Sequence, residues 1–147
     1  IAVRLALQPE PLYVNADRVL LEQVVLNLGL NALQAMQALM ATGGAAPGTP
    51  AAPGEEDAKQ PPELLLRTTA DAGHACLQVL DRGPGLPPDI AARLFEPFFT
   101  TRADGLGLGL NICRSMVESM GGETLAHNRE GGGAIFEIRL PRLAIAP

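Results

Sequence analysis

Two carboxamides one helical turn apart, Asn27 and Asn31, stand in a stretch otherwise made of Leu, Val, Ala and Gly. Gln23 precedes them by four residues and Gln34 follows by three, so helical spacing draws one polar stripe along an apolar rod. Carboxamides lower helix propensity and are costly to bury without partners; a bound ligand or metal ion is one reason to find them there, and a hydrated outer face is the other. An amide oxygen is a hard donor suited to Mg²⁺, which takes few protein oxygens and completes its shell with water and phosphate. Three more clusters follow in order: Asp81-x-Gly83-x-Gly85, Phe95-x-x-Phe98-Phe99-Thr100-Thr101-Arg102, and Gly105-x-Gly107-x-Gly109.

Each cluster suggests a different contact. An ionised carboxylate accepts hydrogen bonds and donates none, so Asp81 suits an exocyclic amine such as adenine N6 and not a guanine O6. The glycines after it, lacking Cβ, let a flat ring approach the backbone, although an ordinary Asp-x-Gly turn has the same spelling. Gly105-Leu106-Gly107-Leu108-Gly109 runs into a helical stretch whose first N–H groups and dipole form an anion site. A dinucleotide fingerprint is the competing reading, but its glycines follow a core strand, and here an aromatic-rich loop precedes them. Arg102 supplies a cation able to move with that loop onto a terminal phosphate. Phe95, Phe98 and Phe99 are read as apolar anchors of the loop. No Gly-x-x-x-x-Gly-Lys-Ser/Thr occurs, so the four clusters together point to an ATP pocket built without a P-loop.

These clusters need an ordered frame. Ala2–Leu7 alternates like a strand, and Leu12–Val14 reads as a short second one before the N-cap candidates Asn15 and Asp17. From Asp17 to Met40, Leu20, Leu21, Val24, Val25, Leu28, Ala32, Leu33 and Met36 recur at helical spacing. Residues 42–62 turn to Gly, Ala, Pro, Glu and Lys, a composition expected to form a disordered insert within one domain. Glu63–Ala70 and Ala75–Leu80 read as antiparallel strands joined at Asp71-Ala72-Gly73, and Pro88–Leu94 as a short helix. Leu108–Met120 reads as a longer helix ended by Gly121-Gly122, and Glu123–Asn128 and Ala134–Leu140 as strands meeting across Gly131-Gly132-Gly133. The pattern implies an α/β sandwich, several helices against one mixed or antiparallel sheet.

At 147 residues and 47% hydrophobic content the chain can bury one sizeable core, which argues for a single domain over residues 1–147. A net charge of −5 with no basic run argues against nucleic acid or an anionic membrane as a direct partner. Cys76 and Cys113 show no metal-ligand spacing and no disulfide pattern, which fits a reducing cytosol. No apolar run is read as approaching bilayer length, so the segment is expected to be soluble. His74 and His127, without an acidic neighbour in the sequence reading, are taken as surface or satisfied histidines and not as phosphoacceptors.

With these residues in place, the chain resembles the catalytic ATP-binding domain of a sensor histidine kinase, in the Bergerat (GHKL) superfamily. Gln23–Ala32 is similar to the N box, Asp81–Gly85 to the G1 box, Leu94–Arg102 to the F box and Gly105–Leu110 to the G2 box. The likeness covers nearly all of the chain outside the insert. It implies a two-layer Bergerat α/β sandwich, with helices on one face of a mixed, mostly antiparallel sheet. It further implies Asn31 as the Mg²⁺ ligand, Asn27 near the phosphates, Asp81 on the adenine amine, and Gly105, Gly107 and Gly109 in a mobile lid. Gly83, Gly85, Thr100, Thr101, Leu106, Leu108 and Leu110 join the nucleotide-binding set, and Asn31 and Arg102 are the catalytic candidates. The short span between F and G2 boxes looks most like the nitrogen-regulation, dicarboxylate-sensing and oxygen-sensing kinases. Many members carry Ser or Thr in the final Gly-rich strand where this chain has Ala134, which puts one hydroxyl contact near the base in doubt.

Superfamily ATPases place a Glu four residues before the metal-binding Asn, as general base for water. Here that position is Asn27, whose amide takes no proton at neutral pH, so a nucleophile supplied from elsewhere is favoured over hydrolysis. The resemblance implies a histidine on a dimerisation domain of the same protein, absent from these residues, with relay to a response-regulator receiver domain. It also implies a cytoplasmic location for the segment and a parent anchored in the bacterial inner membrane. A nucleotide-binding or protein-interaction module that has lost the chemistry is the rival from another class.

Overall fold

The computed structural model describes residues 1–43, 61–97 and 108–144. Eight elements run in the order β1 (Ala2–Ala6), α1 (Arg18–Ala41), β2 (Glu63–Ala70), β3 (His74–Leu80), α2 (Pro88–Ala91), α3 (Leu108–Ser119), β4 (Glu123–Asn128) and β5 (Ala134–Pro141). The five strands form one sheet ordered β1-β2-β3-β5-β4. β1 is parallel to β2 and every other pairing is antiparallel, so the sheet is mixed and mostly antiparallel.

α1 begins where Asp17 caps it, Oδ1 accepting from the Leu20 N–H at 3.1 Å. Its residues Val24, Leu28, Ala32 and Met36, spaced by four, are at most 1% exposed. They meet Leu64, Val79, Phe136, Ile138 and Leu140 of the sheet and Cys113 and Val117 of α3 in one core. Alternate residues of β5 (Ala134, Phe136, Ile138 and Leu140) face that core, as a strand covered on one side requires. α3 ends with the Gly121 N–H donating to the Glu118 carbonyl and the Gly122 N–H to the Val117 carbonyl, both at 3.0 Å. These two bonds form a Schellman stop.

Several expectations need adjusting. Leu12–Val14 is not a strand; Val14 makes only an isolated antiparallel bridge to Arg142, with the Leu143 N–H donating to the Tyr13 carbonyl beside it. β3 starts one residue early, at His74, and α2 is shorter than Pro88–Leu94, its last residues continuing as turns. His74 does have an acidic neighbour: its Nδ1 lies 3.5 Å from Asp71 Oδ1, brought close by the hairpin turn. α1, at 24 residues, is by length and composition able to cross a bilayer, which corrects the reading that no apolar run approaches that length. In this fold its apolar stripe covers the sheet. Residues 44–60, which make up most of the expected insert, lie outside the described residues.

The β4–β5 turn approaches β3 more closely than any side chain would allow. Gly133 has φ +99°, and a Cβ there would overlap the Asp81 carbonyl oxygen. Gly133→Ala is expected to destabilise the domain by roughly 3 kcal/mol, from backbone strain and steric conflict together. Chemical denaturation checks this; an unchanged midpoint would show that the two segments are free to separate.

Candidate nucleotide site

Because Val24, Leu28, Ala32 and Met36 fix the rotation of α1, the residues one position earlier in each turn are also fixed. Asn27 and Asn31 are half-buried at the edge of the core, neither on a hydrated outer face nor fully enclosed. They look toward α3. The Asn27 carboxamide hydrogen-bonds the Cys113 thiol, and its Oδ1 accepts from Gln23 Nε2 at 2.9 Å. One turn on, Asn31 Nδ2 lies 3.9 Å from where a Cβ on Gly109 would stand. One turn further, the Ala35 Cβ lies 3.2 Å from the corresponding point on Gly83. A single helix edge thus runs from the body of α3, past its first turn, to the loop after β3. Gln34, expected on the same stripe, is exposed and falls off it.

Asp81 directly follows β3 and is 2% exposed. Its Oδ1 accepts from the Gly83 N–H at 2.8 Å and the Ala134 N–H at 3.1 Å, while its own N–H donates to the Ala134 carbonyl at 3.0 Å. Burial pushes the carboxyl pKa above the usual aspartate value; the two main-chain donors and the nearby Arg129 guanidinium offset part of that. Arg129 Nη1 donates to the Asp81 carbonyl at 3.3 Å, and its own pKa is lowered, first by burial and then by repulsion from Arg82. The result is a rigid acceptor at the end of a core strand, with Oδ2 taking neither of those two main-chain bonds.

Gly85, φ +78°, ends the loop against the β4–β5 turn, where Asn128 Oδ1 would stand 2.9 Å from an added Cβ. Leu108 opens α3, Gly109 sits in its first turn, and Leu110 packs against the core. The last is therefore a packing residue as well as a candidate contact. Phe95 also packs against the core, as the anchoring role requires. Phe98, Phe99, Thr100, Thr101, Arg102, Gly105, Leu106 and Gly107 lie outside the described residues.

Three contributors were missed by the sequence reading. Ala134 acts through its backbone N–H, so the absent hydroxyl there does not remove this residue from the site. Asn128 and Arg129 reach the loop after β3 from across the sheet. The only sequence signal for them was their place just before the Gly131-Gly132-Gly133 turn. Among the described residues no group of three or more His, Cys, Asp or Glu side chains could hold a metal ion. Asn31, half-buried beside the first turn of α3, fits a single hard oxygen donor whose ion would take its other ligands from phosphate and water.

The comparisons with known proteins agree with this geometry. A family model described as "Histidine kinase-, DNA gyrase B-, and HSP90-like ATPase" matches residues 16–144. The C4-dicarboxylate transport sensor protein DctS of Rhodobacter capsulatus is 38% identical over 128 residues, covering 87% of this chain and 17% of that protein. The full-length ShkA structure in complex with AMPPNP superposes with a TM-score of 0.73 at 28% identity, covering 99% of this chain and 26% of that one. Histidine kinase ThkA, solved in complex with the response regulator protein TrrA, gives a TM-score of 0.66 at 27% identity over 96% of this chain and 34% of that one. The chain spans less than a quarter of the length of sensor proteins such as DctS. The extent of the family match, together with the asparagine edge of α1 and the buried Asp81, establishes that the chain belongs to the histidine kinase-, DNA gyrase B- and HSP90-like ATPase family, its relatives being sensor histidine kinases.

Proposed function

We propose that this chain is the ATP-binding catalytic domain of a two-component sensor histidine kinase, and that it presents the γ-phosphate to a histidine on a dimerisation domain of the same protein. The observation that carries the reading is Asp81, a carboxylate at 2% exposure held on one oxygen by two main-chain N–H groups. A buried acceptor of that kind needs a donor, and the exocyclic amine of adenine supplies one to Oδ2. Asn31 and the first turn of α3 then lie on the phosphate side, where the helix N-terminus favours negative charge. Bound Mg²⁺ would neutralise charge on the phosphate oxygens, with Asn31 as its protein ligand.

Asn27 supports transfer over hydrolysis. Its carboxamide bonds Gln23 and Cys113 and has no basic group to take a proton from water. In the proposed step an imidazole nitrogen attacks the γ-phosphorus in line, the bond to the bridging oxygen breaks, and ADP leaves. Arg102 would stabilise the transferred charge, Gly105 and Gly107 would belong to the lid, and Thr100, Thr101 and Leu106 would join the nucleotide contacts. Relay to a response regulator is supported by ThkA having been solved with one. By the same reading the segment is cytoplasmic and the full-length protein is anchored in a bacterial inner membrane.

Asp81→Asn keeps an oxygen for the Gly83 and Ala134 N–H groups and removes a buried charge. The nucleotide-free variant is expected to melt no lower than the parent while losing at least about tenfold in ATP affinity, as a hydrogen bond to a charged group contributes roughly 1.5–3 kcal/mol. Calorimetry on both forms tests this; unchanged affinity would remove Asp81 from the base.

Because the free-state pKa of Asp81 is raised, the native chain binds a proton more readily than the unfolded one, so this group's contribution to folding is full below the pKa of an unfolded aspartate and is lost as pH rises through the raised native value. Nucleotide binding has the opposite sign. It needs the ionised form, so affinity is expected to fall as pH drops through that raised pKa, and Asp81→Asn should lack this component.

Asn31→Ala is expected to abolish phosphotransfer to an added phosphoacceptor domain, with circular dichroism unchanged. Radiolabelled transfer measures it, and full residual activity would exclude Asn31 as the metal ligand.

A further inference from the structure

Asn128 ends β4 and is exposed, yet its carboxamide makes two hydrogen bonds to a single residue 42 positions away. Oδ1 accepts from the Leu86 N–H at 2.6 Å and Nδ2 donates to the Leu86 carbonyl at 2.9 Å. An amide that both gives and takes in this way substitutes for the strand neighbour that the loop after β3 lacks. The loop is thereby fixed at both ends. At its start, Gly83 donates to Asp81 Oδ1 and abuts Ala35 of α1; at its end, Gly85 abuts Asn128 and Leu86 is clasped by it. The neighbouring residue acts on the same loop, Arg129 Nη1 reaching the Asp81 carbonyl, and the Arg129 N–H donates to the Gly133 carbonyl at 2.9 Å to close the β4–β5 turn.

We infer that Asn128 is a positioning residue for nucleotide binding: its clasp on Leu86 sets where the Asp81–Gly85 loop stands as a wall of the base pocket. The inference rests on the proposed binding of adenine beside Asp81. It assigns Asn128 to the base end of the ligand, so ATP and ADP depend on it equally. An exposed side chain with only a general packing role would instead tolerate an isosteric change. Asn128→Asp keeps the shape and the acceptor for the Leu86 N–H, but it sets a carboxylate oxygen against the Leu86 carbonyl.

The test is calorimetric titration of the chain and of its Asn128→Ala, Asn128→Asp and Asp81→Asn variants with ATP and with ADP. The Leu86 amide resonance is followed by NMR in the same samples. Both Asn128 variants are expected to weaken ATP and ADP alike, by about tenfold, Asn128→Ala through two lost hydrogen bonds and Asn128→Asp through one lost bond and the repulsion of two facing oxygens, with an upfield shift of the Leu86 amide in Asn128→Ala and little change in melting temperature. Loss of binding in Asp81→Asn with parent-like affinity in both Asn128 variants would overturn the inference and leave the base site standing. Parent-like affinity in Asp81→Asn would overturn the reading beneath it. Should Asn128→Ala fail to fold, Asn128→Asp decides: unchanged affinity rejects the positioning role.

Discussion

An aspartate carboxylate sealed from water must be compensated where it stands, and much of the described site is arranged around that requirement at Asp81. Burying an ionised carboxylate costs several kcal/mol unless hydrogen bonds replace its lost hydration. Two main-chain N–H groups converge on Oδ1, one from the loop immediately after it and one from the start of β5. Compensation is incomplete, since the carboxyl pKa still lies above that of an ordinary aspartate. A fold shaped for stability alone would place an amide or an apolar group there. A carboxyl retained at the end of a core strand, beside the Gly83 and Gly85 loop, supports the proposed role of Asp81 in holding a ligand.

Packing of the first helix supplies the second half of the arrangement. Four fully buried residues spaced by four settle its rotation against the sheet, and the adjacent edge then falls along α3 and the loop after β3. Contacts from Asn27 to Cys113, from Asn31 to Gly109 and from Ala35 to Gly83 succeed one another turn by turn. A rise of about 6 Å per four residues sets the spacing between successive contacts along this edge, and under the proposed function it would separate the base end from the phosphate end. Core formation and site assembly are thus the same event for α1: a substitution that rotates the helix displaces both asparagines together.

Most elements were legible because they are local. The four-residue spacing of Val24 to Met36, the Asp17 cap and the Gly121-Gly122 stop are all written within one or two turns of chain. The clusters at residues 27–31 and 81–85 were legible for the same reason, each being a run of unusual residue types in an apolar setting. Leu12–Val14 was misread since alternation alone does not say whether a partner edge exists, and here only one bridge forms. His74 was misread because the hairpin turn, and not the spacing, brings Asp71 to it.

Residue types and their order were enough to state an ATP pocket without a P-loop, the helices and strands that frame it, and an amide where an ATPase would need a base. What tertiary structure alone decided is which distant groups complete that pocket. Ala134 reaches Asp81 across 53 positions, Arg129 across 48, and Asn128 reaches Leu86 across 42. Ala134 does so through its main-chain N–H, Arg129 through its guanidinium and Asn128 through its carboxamide, all common residue types, so nothing in the letter marks them. Strand pairing brought them there, and pairing is settled by how whole faces bury one another and not by any short run of the chain.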